Sequence, residues 1–188
     1  AGFSVVLVET VGVGQSETAV AEMTDLFMLL LLPGGGDELQ GIKRGIVELA
    51  DLVVVNKADG DLAAAAGRAA ADYRNALGFL HPRHPDWEVP VNTCSAIENR
   101  GIEEIWSTIE HFRATMTDNG ELTRARAAQA LAWLWDETSE QLLTTLKNDP
   151  AIRQRVAELE EAVTSGRTSP RVAAHELVEK FWQESKQP

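Results

Sequence analysis

The run Leu52-Val53-Val54-Val55, followed at once by Asn56-Lys57-Ala58-Asp59, constrains this chain more than any other feature. Four consecutive apolar residues leave no polar face to give to water. A strand of this kind is covered on both sides, as central strands of parallel sheets are. Such sheets bind ligands at the carboxyl ends of their strands, and the polar quartet stands at such an end. An Asp carboxylate there can accept two hydrogen bonds at once, one from the ring N–H and one from the exocyclic amine of guanine. Adenine presents no such pair of donors on that edge. A paired, charge-assisted contact discriminates strongly, because the wrong base leaves it unmet. The Lys57 stem can lie along base or ribose, and the Asn56 side chain can tie neighbouring loops together. Four letters alone are a weak signal, since they also describe a polar loop in which Asp59 starts the next helix.

Two further segments strengthen it. Phe3-Ser4-Val5-Val6-Leu7-Val8 reads as another buried strand, ending in Glu9-Thr10-Val11-Gly12. In P-loop NTPases a carboxylate at the end of this strand holds Mg²⁺, often through water. A glycine three residues on lets a backbone N–H approach the terminal phosphate, because no Cβ blocks it. Glu9 is thus the candidate metal ligand, and Glu9 and Gly12 are candidate catalytic residues. The plain alternative is a strand edge followed by a glycine turn. Cys94-Ser95-Ala96-Ile97 follows the strand-like Glu88–Thr93. A small Ser-Ala loop there can offer backbone N–H groups to the guanine carbonyl oxygen. The three motifs follow successive strands in the order this enzyme class uses. Asn56, Lys57, Asp59, Ser95, Ala96 and Ile97 are the candidate nucleotide-binding residues.

The wider pattern agrees. Apolar strands are expected at 3–9, 26–32, 52–56 and 89–94, and helices near 15–23 and at 38–49, 61–79 and 101–116. This alternation predicts an α/β fold, a P-loop NTPase-type, mostly parallel sheet with flanking helices, over residues 1–119. After Gly120 the strands stop. Leu122, Ala125, Ala128, Leu131, Leu134, Trp135, Leu142 and Leu146 have the spacing of one long helix. A second helix is expected from Asp149-Pro150, with Pro in its first turn, to Gly166. Ser169-Pro170 starts a third. Residues 120–188 therefore read as an all-helical C-terminal extension. Its apolar faces, with Trp133, Trp135 and Trp182, suit either packing against the first part or a homodimer arm.

Three segments carry a family resemblance: Glu9-Thr-Val-Gly-Val-Gly-Gln-Ser-Glu17, Leu32-Pro-Gly-Gly-Gly-Asp-Glu-Leu-Gln-Gly-Ile-Lys-Arg-Gly45 and Val55-Asn-Lys-Ala-Asp-Gly60. In these the chain resembles the MeaB/ArgK/MMAA GTPases, G-protein chaperones of adenosylcobalamin-dependent acyl-CoA mutases. That family has Glu in its magnesium-side motif, as Glu9 is here. The resemblance implies a homodimeric GTPase using GTP/GDP and Mg²⁺, partnered with a mutase of the methylmalonyl-CoA type, and it favours the dimer arm, while composition agrees with a cytoplasmic globular protein. It also implies that Gly34, Gly35, Gly36, Asp37, Glu38, Gln40 and Lys43 form a switch loop that meets the mutase. Three glycines lower stability through backbone entropy but suit a loop that changes shape. Asp37 and Glu38 also suit a helix N-terminus electrostatically. Lys43 is the candidate for a partner-triggered cation that offsets transition-state charge, with a solvated helix charge as the alternative. Val13 stands where many GTPases have their water-positioning Gln. Gln15 is therefore not assigned catalysis, and slow, partner-dependent turnover is expected.

The family's phosphate-binding loop, Gly-x-x-x-x-Gly-Lys-Ser/Thr, does not occur in these 188 residues. The expectation is a C-terminal part of a longer protein that by itself binds GTP poorly and does not turn it over. A net charge of −12 argues against nucleic acid, because a phosphate-tracking surface must be basic. The single cysteine, Cys94, fits a reducing compartment and reads as a small apolar residue rather than a nucleophile. No apolar run is long enough to span a membrane. His81, His84, His111 and His175 have no metal-ligand spacing. A metallochaperone-type GTPase or a transport-linked kinase remains an alternative, as does a non-enzymatic dimerisation module.

Overall fold

The computed structural model describes residues 2–10, 16–33, 44–150 and 152–184. They fall into two compact units, Ala1–Gln129 and Ala130–Pro188. The first runs α1 (Ser16–Met23), β1 (Met28–Leu31), α2 (Arg44–Leu49), β2 (Leu52–Val55), a 3₁₀ turn (Gly60–Leu62), α3 (Ala63–Leu77), β3 (Val91–Thr93) and α4 (Ile102–Asp118), then enters the long helix α5 (Glu121–Asn148).

The three strands form one parallel sheet in the order β1-β2-β3. Met28 pairs with Leu52 and Leu31 with Val55, and Val53 pairs with Val91 and Val55 with Thr93. Every residue of β2 is fully buried, as its sequence demands. Val53 and Val55 face a cluster with Ala21, Val47, Ala66, Ala70 and Tyr73, so α1, α2 and α3 cover that side. Leu52 and Val54 turn the other way, onto Cys94 and Ile105 of the α4 side. The small residues Ala66 and Ala70 share one face of the alanine-rich α3 and let it lie close to the sheet. The Arg74 guanidinium closes that contact by donating to the Val91 carbonyl at 2.9 Å. Glu103 and Glu104 in the first turn of α4 suit the positive end of its dipole.

A third cluster, Trp87, Phe112 and Met116, closes the end of the sheet opposite the strand tips. Trp87 meets Phe112 edge-on, with ring centres 5.0 Å apart. Asp51 is buried here immediately before β2. Its Oδ2 accepts the Phe27 N–H at 2.8 Å and lies 3.7 Å from Arg83 Nη1. The Trp87 indole donates to the Asp51 carbonyl at 2.7 Å. His84 Nε2 stands 3.3 Å from Oδ1, without the angles of a hydrogen bond.

The start of α5 belongs with this unit. Arg126 forks onto Asp25 at 2.8 and 2.6 Å, and Gln129 donates to the Thr24 carbonyl at 3.0 Å. In the second unit, α6 (Arg153–Thr164) and α7 (Pro170–Glu184) follow the rest of α5. Ile152, Leu159 and Ala173 are buried, and Arg155 pairs with Glu158 at 2.7 Å and with Glu176. Gly166, at φ +73°, ends α6, and the Ser169 hydroxyl caps α7 through the Val172 N–H at 3.3 Å, with Pro170 in the first helical position.

Three expectations change. Residues 3–9 form no strand. Phe3 is 77% and Leu7 85% exposed, and the run pairs with none of the described strands. An apolar run becomes a strand only when a neighbour takes up its backbone N–H and C=O groups, and none of the described strands does so. Helix 61–79 is shorter, Ala63–Leu77, because Gly60 at φ +46° and the 3₁₀ turn come first. Pro150 is not in a first helical turn. The Asp149 carbonyl accepts the Ile152 and Arg153 N–H groups in a tight turn, and α6 begins at Arg153.

Candidate functional site

The loops after β2 and β3 lie side by side at the carboxyl edge of the sheet. Backbone bonds join them beyond the strands. The Cys94 N–H donates to the Val55 carbonyl and the Ala58 N–H to the Cys94 carbonyl, both at 2.9 Å. The Asn56 N–H donates to the Leu31 carbonyl at 2.9 Å, which ties the same loop to β1.

Asn56 acts inward. Its Oδ1 accepts the Lys57 N–H at 2.7 Å and the Ala96 N–H at 3.4 Å, with Cys94 Sγ at 3.5 Å. This bond stabilises the left-handed backbone of Lys57, φ +56°, which a non-glycine residue adopts at a cost of order 1 kcal/mol. The Lys57 side chain is left exposed beside the loop.

Asp59 is half-buried, in extended backbone just before the 3₁₀ turn, and its side chain makes no bond to the helix that follows. Its Oδ2 instead accepts the hydroxyl of Ser95. Ser95 is fully buried, and its Oγ also accepts the Glu98 N–H at 3.1 Å. Ser95 and Arg100 exchange backbone bonds at 2.9 and 3.0 Å, closing a tight loop over Ala96–Asn99. Ile97 projects from its tip, 88% exposed. Gly101, at φ +79°, holds the exit, where a Cβ would stand 2.5 Å from the Thr93 carbonyl oxygen. Burial pushes the Cys94 thiol up, which disfavours the thiolate and leaves Cys94 a core residue.

A carboxylate has about four acceptor positions, so the Ser95 bond leaves Asp59 able to take two parallel N–H donors. Ser95, Ala96 and Ile97 stand beside Asn56, Lys57 and Asp59, which the sequence separates by some forty residues. Glu9 lies exposed at the end of the unpaired run. Gly12, Gly34, Gly35, Gly36, Asp37, Glu38, Gln40 and Lys43, and with them Val13 and Gln15, lie outside the described residues. Sequence reasoning missed Arg100, whose Nη2 donates to the Ala58 carbonyl. It also missed Asp51, whose signal was a charge directly preceding an otherwise apolar strand. Among the described residues no cluster of three or more His, Cys, Asp or Glu could hold a metal, and no helix is long and apolar enough to cross a membrane.

A parallel sheet with flanking helices and two such loops at its carboxyl edge is the frame of a P-loop GTPase fold. The family described as methylmalonyl Co-A mutase-associated GTPase MeaB matches residues 1–151. A putative GTPase of Caulobacter vibrioides is 51% identical over 181 residues, covering 96% of this chain and 55% of that protein. The mouse protein named methylmalonic aciduria type A homolog, mitochondrial, is 48% identical over 96% of this chain and 43% of its own length. GTPase ArgK of Escherichia coli is 44% identical over 95% and 54%. A crystal structure titled LAO/AO transport system kinase superposes with a TM-score of 0.71 at 41% identity, covering 97% of this chain and 58% of that one. The chain belongs to the MeaB family of mutase-associated GTPases. It spans about half the length of the curated relatives it matches.

Proposed function

We propose that this chain supplies the base-recognition side of a GTP-hydrolysing chaperone, one that gates cofactor loading and protection of an adenosylcobalamin-dependent acyl-CoA mutase. The observation that carries the reading is the orientation of Asp59. Its carboxylate does not cap the following helix and is held instead by a buried serine from the neighbouring loop. A carboxylate spent on stability would satisfy its own helix terminus. One held across a loop junction is preorganised for a ligand. In this reading Asp59 accepts the two guanine donors, Lys57 lies along the base or ribose, and Ala96 with its neighbours Ser95 and Ile97 covers the carbonyl side. Asn56 locks the two loops together.

Glu9 is proposed as the protein's contact to Mg²⁺. A lone carboxylate fits that ion, which keeps waters and takes phosphate oxygens for most of its shell. When bound, the metal neutralises charge on the phosphates. Gly12 and Lys43 are proposed to act at the phosphate end, with Gly34–Lys43 as the loop that meets the mutase. The family's name supports a mutase partner. Exposed Leu131, Trp133, Trp135, Leu142, Val178 and Trp182 in the second unit support a homodimer contact, and the cytoplasm is the proposed compartment.

The test is a fluorescence titration of the full-length gene product with labelled GDP and ADP in the presence of Mg²⁺. Tight GDP binding with little ADP binding is expected, followed by capture of the mutase and slow hydrolysis that the mutase accelerates. Lys43→Ala is expected to keep GDP binding and lose the acceleration. Equal affinity for the two nucleotides overturns the reading.

A further inference from the structure

The Ala58 peptide lies between the residues proposed to contact the ligand, and the second loop holds it at both ends. Ala58 is 8% exposed, and its N–H donates to the Cys94 carbonyl at 2.9 Å. Its carbonyl accepts Nη2 of Arg100, a residue 42 positions along the chain. A buried carbonyl with no donor is unfavourable, so this bond matters more than its place near the surface implies. Arg100 is itself fixed. Its backbone pairs with Ser95, and Nη1 meets Glu98 at 2.8 Å. The Glu98 pair is largely exposed and contributes little stability by itself. It does hold the guanidinium in one orientation.

We infer that Arg100 is a positioning residue for guanine selectivity. It fixes the plane of the peptide that leads into Asp59, and so the direction in which the Asp59 side chain leaves the backbone. Ser95 then sets the rotation of the carboxylate. Two parallel bonds to one base edge tolerate little tilt, whereas a single bond tolerates more. Loss of Arg100 therefore weakens the paired contact before it weakens the rest of the nucleotide site. Lysine keeps the charge but cannot reach the Ala58 carbonyl and Glu98 in one planar fork.

This inference rests on the guanine reading of Asp59, and one set of titrations separates the two. GDP, inosine diphosphate and ADP are titrated against the full-length protein and its Arg100→Ala and Arg100→Lys variants, with circular dichroism as the folding control. Inosine lacks the exocyclic amine and can make only one of the two bonds. We expect GDP to bind Arg100→Ala about fivefold more weakly, the scale of one lost hydrogen bond, with inosine diphosphate nearly unchanged. The GDP-to-inosine ratio then falls, and Arg100→Lys lies between wild type and Arg100→Ala. If wild type does not prefer GDP to ADP, the guanine reading fails and this inference with it. If wild type prefers GDP while Arg100→Ala keeps its ratio, or loses both nucleotides equally, the positioning role is overturned and the guanine reading stands. Should Arg100→Ala not fold, a wild-type ratio in Arg100→Lys overturns it equally.

Discussion

The hydroxyl of Ser95 donates to Oδ2 of Asp59, joining two loops whose residues stand 36 apart in sequence. Ser95 is fully buried, so its hydroxyl has no water to turn to. The carboxylate is oriented by the protein itself, which in the proposed guanine reading lowers the ordering cost of binding. Ser95→Ala removes that orientation and leaves the Glu98 N–H without its acceptor. We expect about tenfold weaker GDP binding, from the loss of one hydrogen bond to a charged group, with a small change in the urea midpoint. Nucleotide titration beside urea unfolding checks both.

Asp59→Asn tests the chemistry of the base edge. An amide offers one acceptor and one donor in place of two acceptors. Xanthine carries a carbonyl where guanine carries its amine, so it complements the amide. The variant is expected to lose GDP binding by about two orders of magnitude, as buried polar mismatches do, and to gain affinity for xanthosine diphosphate. Competition between the two diphosphates for the variant reads the outcome directly.

Gly101→Ala probes the exit of the second loop. A methyl group there would meet the Thr93 carbonyl oxygen at 2.5 Å, and the residue sits at φ +79°. Both effects oppose a side chain, and the first involves backbone that cannot swing away. Destabilisation of about 1–3 kcal/mol is expected, read from the urea midpoint. A variant as stable as wild type would mean the loop relaxes freely.

Asp51→Ala should be the most damaging of these changes to the fold. It strips the Phe27 N–H of its acceptor and leaves Arg83 and His84 without the carboxylate they face. Removing one partner from a buried charged cluster costs about 3 kcal/mol or more. Chemical denaturation measures it. Asp51 lies at the far end of β2 from the loops, so any loss of nucleotide binding beyond the unfolded fraction would report a shift of β2 against β1.

The Arg126 fork onto Asp25 predicts a pH dependence. Its hydrogen bonds, and then its charge, hold the Asp25 carboxyl below the ordinary 3.8, against a partial desolvation that raises it. A carboxyl lowered in the folded state adds stability above the unfolded value and loses it as pH falls through the folded one. The pair is partly exposed, so its contribution stays below about 1 kcal/mol. Asp25→Asn should lower the thermal midpoint by about 1–3 °C at pH 7, and the difference should shrink below about pH 4. A constant difference across that range would remove the pair as its cause.

The sequence exposed those parts of the architecture that depend on local chemistry. Leu52–Val55 could only be a covered strand, and the Ser169-Pro170 start of α7 carried its own signal. The neighbouring placement of Asn56–Asp59 and Ser95–Ile97 followed from strand order. What depends on distant partners stayed hidden. Phe3–Val8 has strand composition, but a strand exists only with a neighbour, and composition does not reveal one. Arg100 looked like an ordinary surface charge because its acceptor is a backbone carbonyl, which has no letter in a sequence. His84 has no sequence neighbour that marks it, and only the fold sets it against Asp51.

The burial of β2 on both faces has one more consequence. A strand with one wet face is aligned by its alternation, because a slip of one residue would turn its apolar side outward. β2 has no such alternation, and Leu52–Val55 would sit nearly as well one step along. Its alignment must be indexed from its two polar ends, by the Asp51 carboxylate on the Phe27 N–H below and the Asn56 N–H on the Leu31 carbonyl above. A one-residue slip would carry Asp59 about 3.3 Å along the strand axis, farther than a hydrogen bond can follow. Asp51, remote from any nucleotide, thus acts as the zero mark from which the reach of Asp59 is measured.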